Sequence, residues 1–115
     1  MKRILILEPD ADVRQLLGRA LEALRYSPVI ASPPQIEEML DVDMLLVEPN
    51  WQPALDAAQR FRALRPGVPI VCASVRPLTD EAKALRPAEV LLKPFLLAEL
   101  QRAVMSAFSP GPRSA

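Results

Sequence analysis

Short unbroken apolar runs alternate along this chain with longer stretches in which apolar residues return every three or four positions. Ile4 to Leu7, Met44 to Val47, Ile70 to Ser74 and Val90 to Leu92 are of the first kind. Runs this short, without a polar residue at every second place, predict strands buried on both faces. Tyr26 to Ala31 predicts a further strand. In the intervening stretches Val13, Leu16, Leu17, Ala20, Leu21 and Leu24 recur at helical spacing, with Arg14, Arg19, Glu22 and Arg25 on the opposite side. Asp10 or Asp12 supplies the cap of that helix. A short helix is expected over Pro34 to Leu40, opened by Ser32 and a first-turn proline. Another is expected over Pro53 to Leu64, with Leu55, Ala58, Phe61 and Leu64 inward and Pro66-Gly67 as its stop. Leu78 to Leu85 predicts a short helix. Leu96 to Phe108 predicts the last, burying Leu97, Leu100, Val104 and Phe108. Five strands alternating with five helices define an α/β domain, doubly wound around a parallel sheet. It spans residues 1–108, and 109–115 read as a flexible Pro-Gly-Ser tail or the stub of a linker.

Three of the strands end alike: Glu8-Pro9, Glu48-Pro49 and Lys93-Pro94 each put a charge and then a proline after the apolar run. Proline has no N–H and stops the ladder. The carboxyl ends of parallel strands border the binding crevice of an open α/β sheet. Two carboxylates and one ammonium are therefore expected to converge at one spot, and function is to be sought there.

Composition narrows the chemistry. A chain of 115 residues holds one domain, and aromatic residues at only 4% leave the core to Leu, Ile, Val and Ala. Basic and acidic residues balance at 14 each, so no overall field draws nucleic acid or anionic lipid. Histidine is absent, which removes the commonest general base and rules out a phosphohistidine carrier. No glycine-rich loop joins a strand to its helix, and Ser74-Val75-Arg76 is unlike a nucleophile elbow, so nucleotide cofactors and hydrolysis are disfavoured and no enzyme is expected. Cys72, the single cysteine, lies in an apolar run and reads as a core residue in a reducing, cytoplasmic setting. The apolar run after Met1-Lys2-Arg3 is too short for a signal peptide or a span, so no membrane association is expected.

Residues Glu8-Pro9-Asp10-Ala11-Asp12-Val13-Arg14, the strand ending at Glu48, Pro69 to Ser74, and Val90-Leu91-Leu92-Lys93-Pro94-Phe95 together resemble the receiver domain of bacterial response regulators, the CheY-like domains of two-component signalling. The likeness runs in order from Lys2 to Phe108, and the Leu-Lys-Pro-Phe end is its most specific part. It implies a flavodoxin-like (βα)5 fold with strand order 2-1-3-4-5. It also implies phosphoryl transfer from a histidine kinase to a strand-three aspartate beside Mg²⁺, with a cis bond at Lys93-Pro94. Partners would be a sensor kinase or an output protein, met through the fourth helix, fifth strand and fifth helix, with a homodimer possible.

Carried across by position, the likeness fails where the chemistry would occur. Glu48 stands at the phosphoacceptor, and Glu8 and Pro9 stand at the acidic pair that holds the metal. Asn50 falls where a backbone carbonyl would ligate it. Ser74 and Lys93 match the hydroxyl and the lysine that sense the phosphoryl group, while Val90 replaces an aromatic that swings inward. Mg²⁺ requires near-octahedral oxygen ligation, and Glu8, Asp10, Glu48 and the Asn50 carbonyl are weak candidates for it. No cofactor and no metal are expected. The resemblance therefore implies an atypical receiver, acting by protein–protein contact with phosphorylation impaired or absent. The alternatives are a working phosphoacceptor using Glu48 or Asp10, or an unrelated flavodoxin-like binding domain. Trp51 is expected to pack over the turn after strand three, Tyr26 to cover the sheet edge, and Arg60, Arg62 and Arg65 to form a solvated helix face.

Overall fold

The computed structural model describes residues 1–109. Five strands form one parallel sheet in the order β2-β1-β3-β4-β5: β1 Arg3–Leu7, β2 Ser27–Ile30, β3 Met44–Val47, β4 Ile70–Ser74 and β5 Glu89–Leu92. Helices α1 (Ala11–Ala23), α2 (Gln52–Leu64), α3 (Asp80–Lys83) and α4 (Leu97–Phe108) connect or follow them, with a 3-10 helix over Pro33–Glu38. The doubly wound α/β fold and its strand order are those expected from the sequence. The expected tail lies, beyond Ser109, outside the described residues.

The three central strands account for the unbroken apolar runs. Ile4 to Leu7, Met44 to Val47 and Ile70 to Ser74 are all buried, because layers cover both faces of the sheet. On one face α1 and α4 pack Leu17, Leu21, Leu100 and Val104 against Ile4, Ile6 and Val71. On the other, α2 brings Leu55, Ala58 and Phe61 onto Leu5, Leu45 and Cys72. The outer strands differ from expectation. β2 is half-buried, and on β5 only Leu91 is buried, while Val90 and Leu92 are 44% and 51% exposed. An edge strand has a neighbour on one side only, and its cover depends on the helix beside it.

That helix is where the largest correction falls. Leu78 to Leu85 was expected to be helical, but only Asp80–Lys83 is, capped by Thr79, whose Oγ1 accepts the Ala82 N–H at 3.2 Å. Arg86 ends the segment with φ +53° just before Pro87, leaving room for one turn. The helix expected over Pro34 to Leu40 is a 3-10 segment over Pro33–Glu38. Leu16, 67% exposed, and Leu97, 54% exposed, turn outward although expected in the core. The buried stripes run instead through Leu17 and Leu21, and through Leu100, Ala103, Val104 and Ala107, the latter at i, i+3, i+4 and i+7. Leu64 is exposed as well. Tyr26 packs on Phe108, with ring centroids 5.6 Å apart, against the core under α1 and α4.

Of the three arginines expected on a solvated face, Arg60 and Arg65 are exposed, and Arg62 is half-buried. Arg62 donates to the carbonyls of Leu85, Pro66 and Val68 at 2.8–2.9 Å and clamps the end of the α3 segment to the β4 entrance. Arg60 binds Glu37 and the Pro33 carbonyl and holds the 3-10 segment to α2, while Arg65, just past α2, binds the Leu40 carbonyl beyond that segment. Long side chains reaching orphan carbonyls replace the backbone partners that a longer helix would supply.

Candidate functional site

The strand-ending charges meet. Glu8, Glu48 and Lys93 leave the carboxyl ends of β1, β3 and β5, and Lys93 Nζ donates to Glu8 Oε1 at 2.5 Å and to Glu48 Oε1 at 3.0 Å. Both glutamates are buried, at 3% and 4% exposure. β1 and β3 pair in register from Ile4–Met44 to Leu7–Val47, so the residues after each strand lie side by side. Lys93 N donates to the Ser74 carbonyl at 2.7 Å, which fixes the start of the β5–α4 turn against the end of β4. The Lys93-Pro94 bond is cis.

Each carboxylate is held by its second oxygen too. Glu8 Oε2 accepts the Asp10 N–H at 3.1 Å, and Glu48 Oε2 accepts the Asn50 N–H at 3.0 Å and the Asn50 side-chain amide at 2.8 Å. A buried charge is tolerated only when its partners are complete, and among the described residues no buried side-chain polar atom lacks one. Burial pushes the Glu48 carboxyl up. The hydrogen bonds from Asn50 and the ammonium of Lys93 more than offset this, so Glu48 titrates below its ordinary value of 4.5 and is ionised at neutral pH. Two carboxylates against one ammonium leave the cluster one negative charge in excess.

The other candidates separate into those at this spot and those away from it. Ser74 is fully buried, and its hydroxyl accepts from the Asn50 amide at 2.8 Å and donates to the Arg76 carbonyl at 2.5 Å. Pro9 and Asp10 are exposed on the rim, where Asp10 Oδ1 caps α1 by accepting from Asp12 and Val13 N–H. With Trp51 and Val75 these residues line a depression of about 370 Å³. Trp51 also packs, partly buried, on the core beneath α2. Val90 is not brought to the spot. It pairs with Cys72 across β4 and β5, and its side chain is exposed.

Two contributors escaped the sequence reading. The Asn50 side chain joins Glu48 to Ser74, although only its backbone carbonyl had been considered; an amide two residues beyond a strand-ending acid was the available signal. Arg14, one turn into α1, donates to the Glu8 carbonyl at 2.9 Å. Among the described residues no group of three or more His, Cys, Asp and Glu side chains is arranged to hold a metal ion, and no helix is long and apolar enough to cross a membrane.

No protein-family model matches the sequence, and no curated relative matches it. The backbone, in contrast, is shared with many solved structures. The Vibrio cholerae chemotaxis protein CheY4 matches with a TM-score of 0.83 at 17% identity, covering 94% of this chain and 99% of that one. The non-phosphorylated HemR receiver domain from Leptospira biflexa matches at 0.81 and 20% identity over 97% and 98% of the two chains. A sensor protein from Polaromonas sp. JS666 gives 0.81 at 24% identity over 92% and 94%. The chain has the fold of the response regulator receiver domains, CheY-like and flavodoxin-like.

Proposed function

We propose that this chain is a receiver-type module of two-component or phosphorelay signalling, acting in the cytoplasm by protein–protein contact. In this reading it is not an enzyme, takes up no phosphoryl group and holds no Mg²⁺. The supporting observation is the Lys93 ammonium between the carboxylates of Glu8 and Glu48. A divalent cation would need those same carboxylates, whose Oε1 atoms are bonded to an internal cation and whose Oε2 atoms already accept N–H groups of Asp10 and Asn50. The remaining oxygens are poor substitutes: Pro9 has no side-chain ligand, and the Asp10 carboxylate is engaged as a helix cap. Such a set does not fit Mg²⁺, which keeps near-octahedral oxygen ligation. Without that charge at the transferred group, in-line phosphoryl transfer loses both positioning and electrostatic stabilisation. Glu48 stands at the phosphoacceptor position with Glu8 and Pro9 at the acidic pair, and Ser74, Lys93 and Val90 stand at the sensing positions.

The Glu48–Lys93 pair then acts as a structural lock across β3 and β5. Partner contact, whether with a sensor kinase, an output protein or a second copy, is assigned to the face of α3, β5 and α4. There Val90, Leu92 and Leu97 are about half exposed, and exposed apolar side chains favour a protein partner over nucleic acid.

Acetyl phosphate and beryllofluoride, each with Mg²⁺, test the proposal by intact mass and thermal shift. No added mass and no change in Tm are expected. An adduct on Glu48 or Asp10 would restore the phosphoacceptor reading. A flavin or nucleotide carried through purification would favour the unrelated binding domain.

A further inference from the structure

Asn50 joins two groups that β3 and β4 deliver separately. Its side-chain amide donates one N–H to Glu48 Oε2 and the other to Ser74 Oγ, both at 2.8 Å. The Ser74 hydroxyl has one proton, which goes to the Arg76 carbonyl at 2.5 Å, and the same oxygen accepts the Arg76 N–H at 3.3 Å. A hydroxyl offers one donor and two acceptor sites, so all three are in use. The chain of hydrogen bonds consequently has a fixed direction: residue 50 must donate, because Ser74 has no second proton to give it. At the far end lies the Ser74–Arg76 turn. It carries Val75, 54% exposed, and stands beside β5, where Leu92 pairs with Ser74 across the sheet.

We propose that Asn50 is a positioning residue: its amide couples the Glu48 carboxylate to the Ser74 hydroxyl and holds the Ser74–Arg76 turn in one arrangement without any phosphoryl group. The use of that turn by a partner rests on the function proposed above, whereas the coupling itself does not. Lys93 ties the same glutamate to β5 on its other oxygen, so the Glu48 carboxylate fixes the ends of both strands that flank the turn.

The direction of the relay makes the test specific. Asn50→Asp keeps the size and the backbone N–H of residue 50 but replaces a donor with an ionised acceptor. Ser74 must then turn its proton toward residue 50 and release the Arg76 carbonyl. In ¹⁵N amide spectra at neutral pH, the resonances of Val75 to Leu78 are expected to move, because the Arg76 carbonyl loses its donor. Acidification protonates residue 50 into a donor. It should return those resonances toward their wild-type positions, with the wild type titrated in parallel as reference. Asn50→Ala removes the donor without adding charge and should give a smaller, pH-independent shift in the same residues. Since Asn50 is itself exposed, these variants should fold; should Asn50→Asp not fold, Asn50→Ala decides. Spectra of both variants that superimpose on wild type at Val75 to Leu78 would overturn the proposal, as would an acid response of Asn50→Asp no different from that of Asn50→Ala. The measurement uses no metal and no phosphoryl donor, so its failure leaves the beryllofluoride result standing, and the reverse holds too.

Discussion

The two faces of the sheet are built to the same plan but finished differently. Under α1 and α4, of 13 and 12 residues, the strands are covered out to β5, where Leu91 is buried with Ala73. On the opposite face α2 is as long as α1, and its Phe61 is wholly buried, but the connection from β4 to β5 carries only the four-residue α3. Side chains that pair across neighbouring strands share a face. Val90 and Leu92, in register with Cys72 and Ser74, therefore belong to this second face and are left in solvent. The difference separates two constraints. The centre of the sheet must be close-packed, while its β5 edge is free to be trimmed, and trimming it exposes apolar surface next to the charged cluster.

Substitutions can press on that contrast from both sides. The largest losses are expected where cover is complete or a charge is stranded. Phe61→Ala should cost about 3–5 kcal/mol through the cavity it leaves. Lys93→Ala should cost about as much, ~3–5 kcal/mol, because two buried carboxylates would then face each other without a cation. Urea unfolding measures both, and losses under 1 kcal/mol would mean that neither site is as tightly built as its burial implies. Leu100→Ala on the first face belongs just below, at about 2–5 kcal/mol.

Glu48→Gln is expected to cost about 1–3 kcal/mol at neutral pH, and this loss should depend on acidity. The folded-state pKa of Glu48 is lowered, so its contribution is present above the ordinary value of 4.5 and disappears as the pH falls through the folded value. Wild type and Glu48→Gln should therefore converge in stability below about pH 4.5, as read from Tm against pH. If the variant retains every partner of the wild type while its stability falls, the Glu48–Lys93 pair is a lock and not a signal. The smallest effect belongs to the trimmed edge: Val90→Ser and Leu92→Ser should change stability by no more than about 0.5 kcal/mol. Either should weaken retention of partner proteins or of a second copy, measured by pull-down and by sedimentation.

The legible part of this protein was the part written in the backbone's own rules. Three apolar runs ending in charge and proline located three strand ends, and the register of β1 and β3 makes Glu8 and Glu48 neighbours. Thr79 and Pro87 frame the α3 segment, but the sequence pattern there suggested eight helical residues where four form. Apolar content at Leu78 and Leu85 signals burial without saying whether helix or turn delivers it. Arg62 was misread for a related reason. Its guanidinium answers carbonyls more than twenty residues away, a requirement that appears only once the chain has turned. Asn50 was seen as backbone, since the need for a donor between Glu48 and Ser74 arises only when β3 and β4 lie side by side.

Cys72 sits at the middle of β4 with no exposed surface, and burial, followed by the nearby Glu48 charge, pushes its thiol up to about 12. A sulfur so protonated and so enclosed offers nothing to an alkylating reagent until β4 parts from β3 and β5. The speed at which iodoacetamide caps this lone site is then a stopwatch for rupture of the whole sheet, readable in a cell lysate without purification or a fluorescent tag.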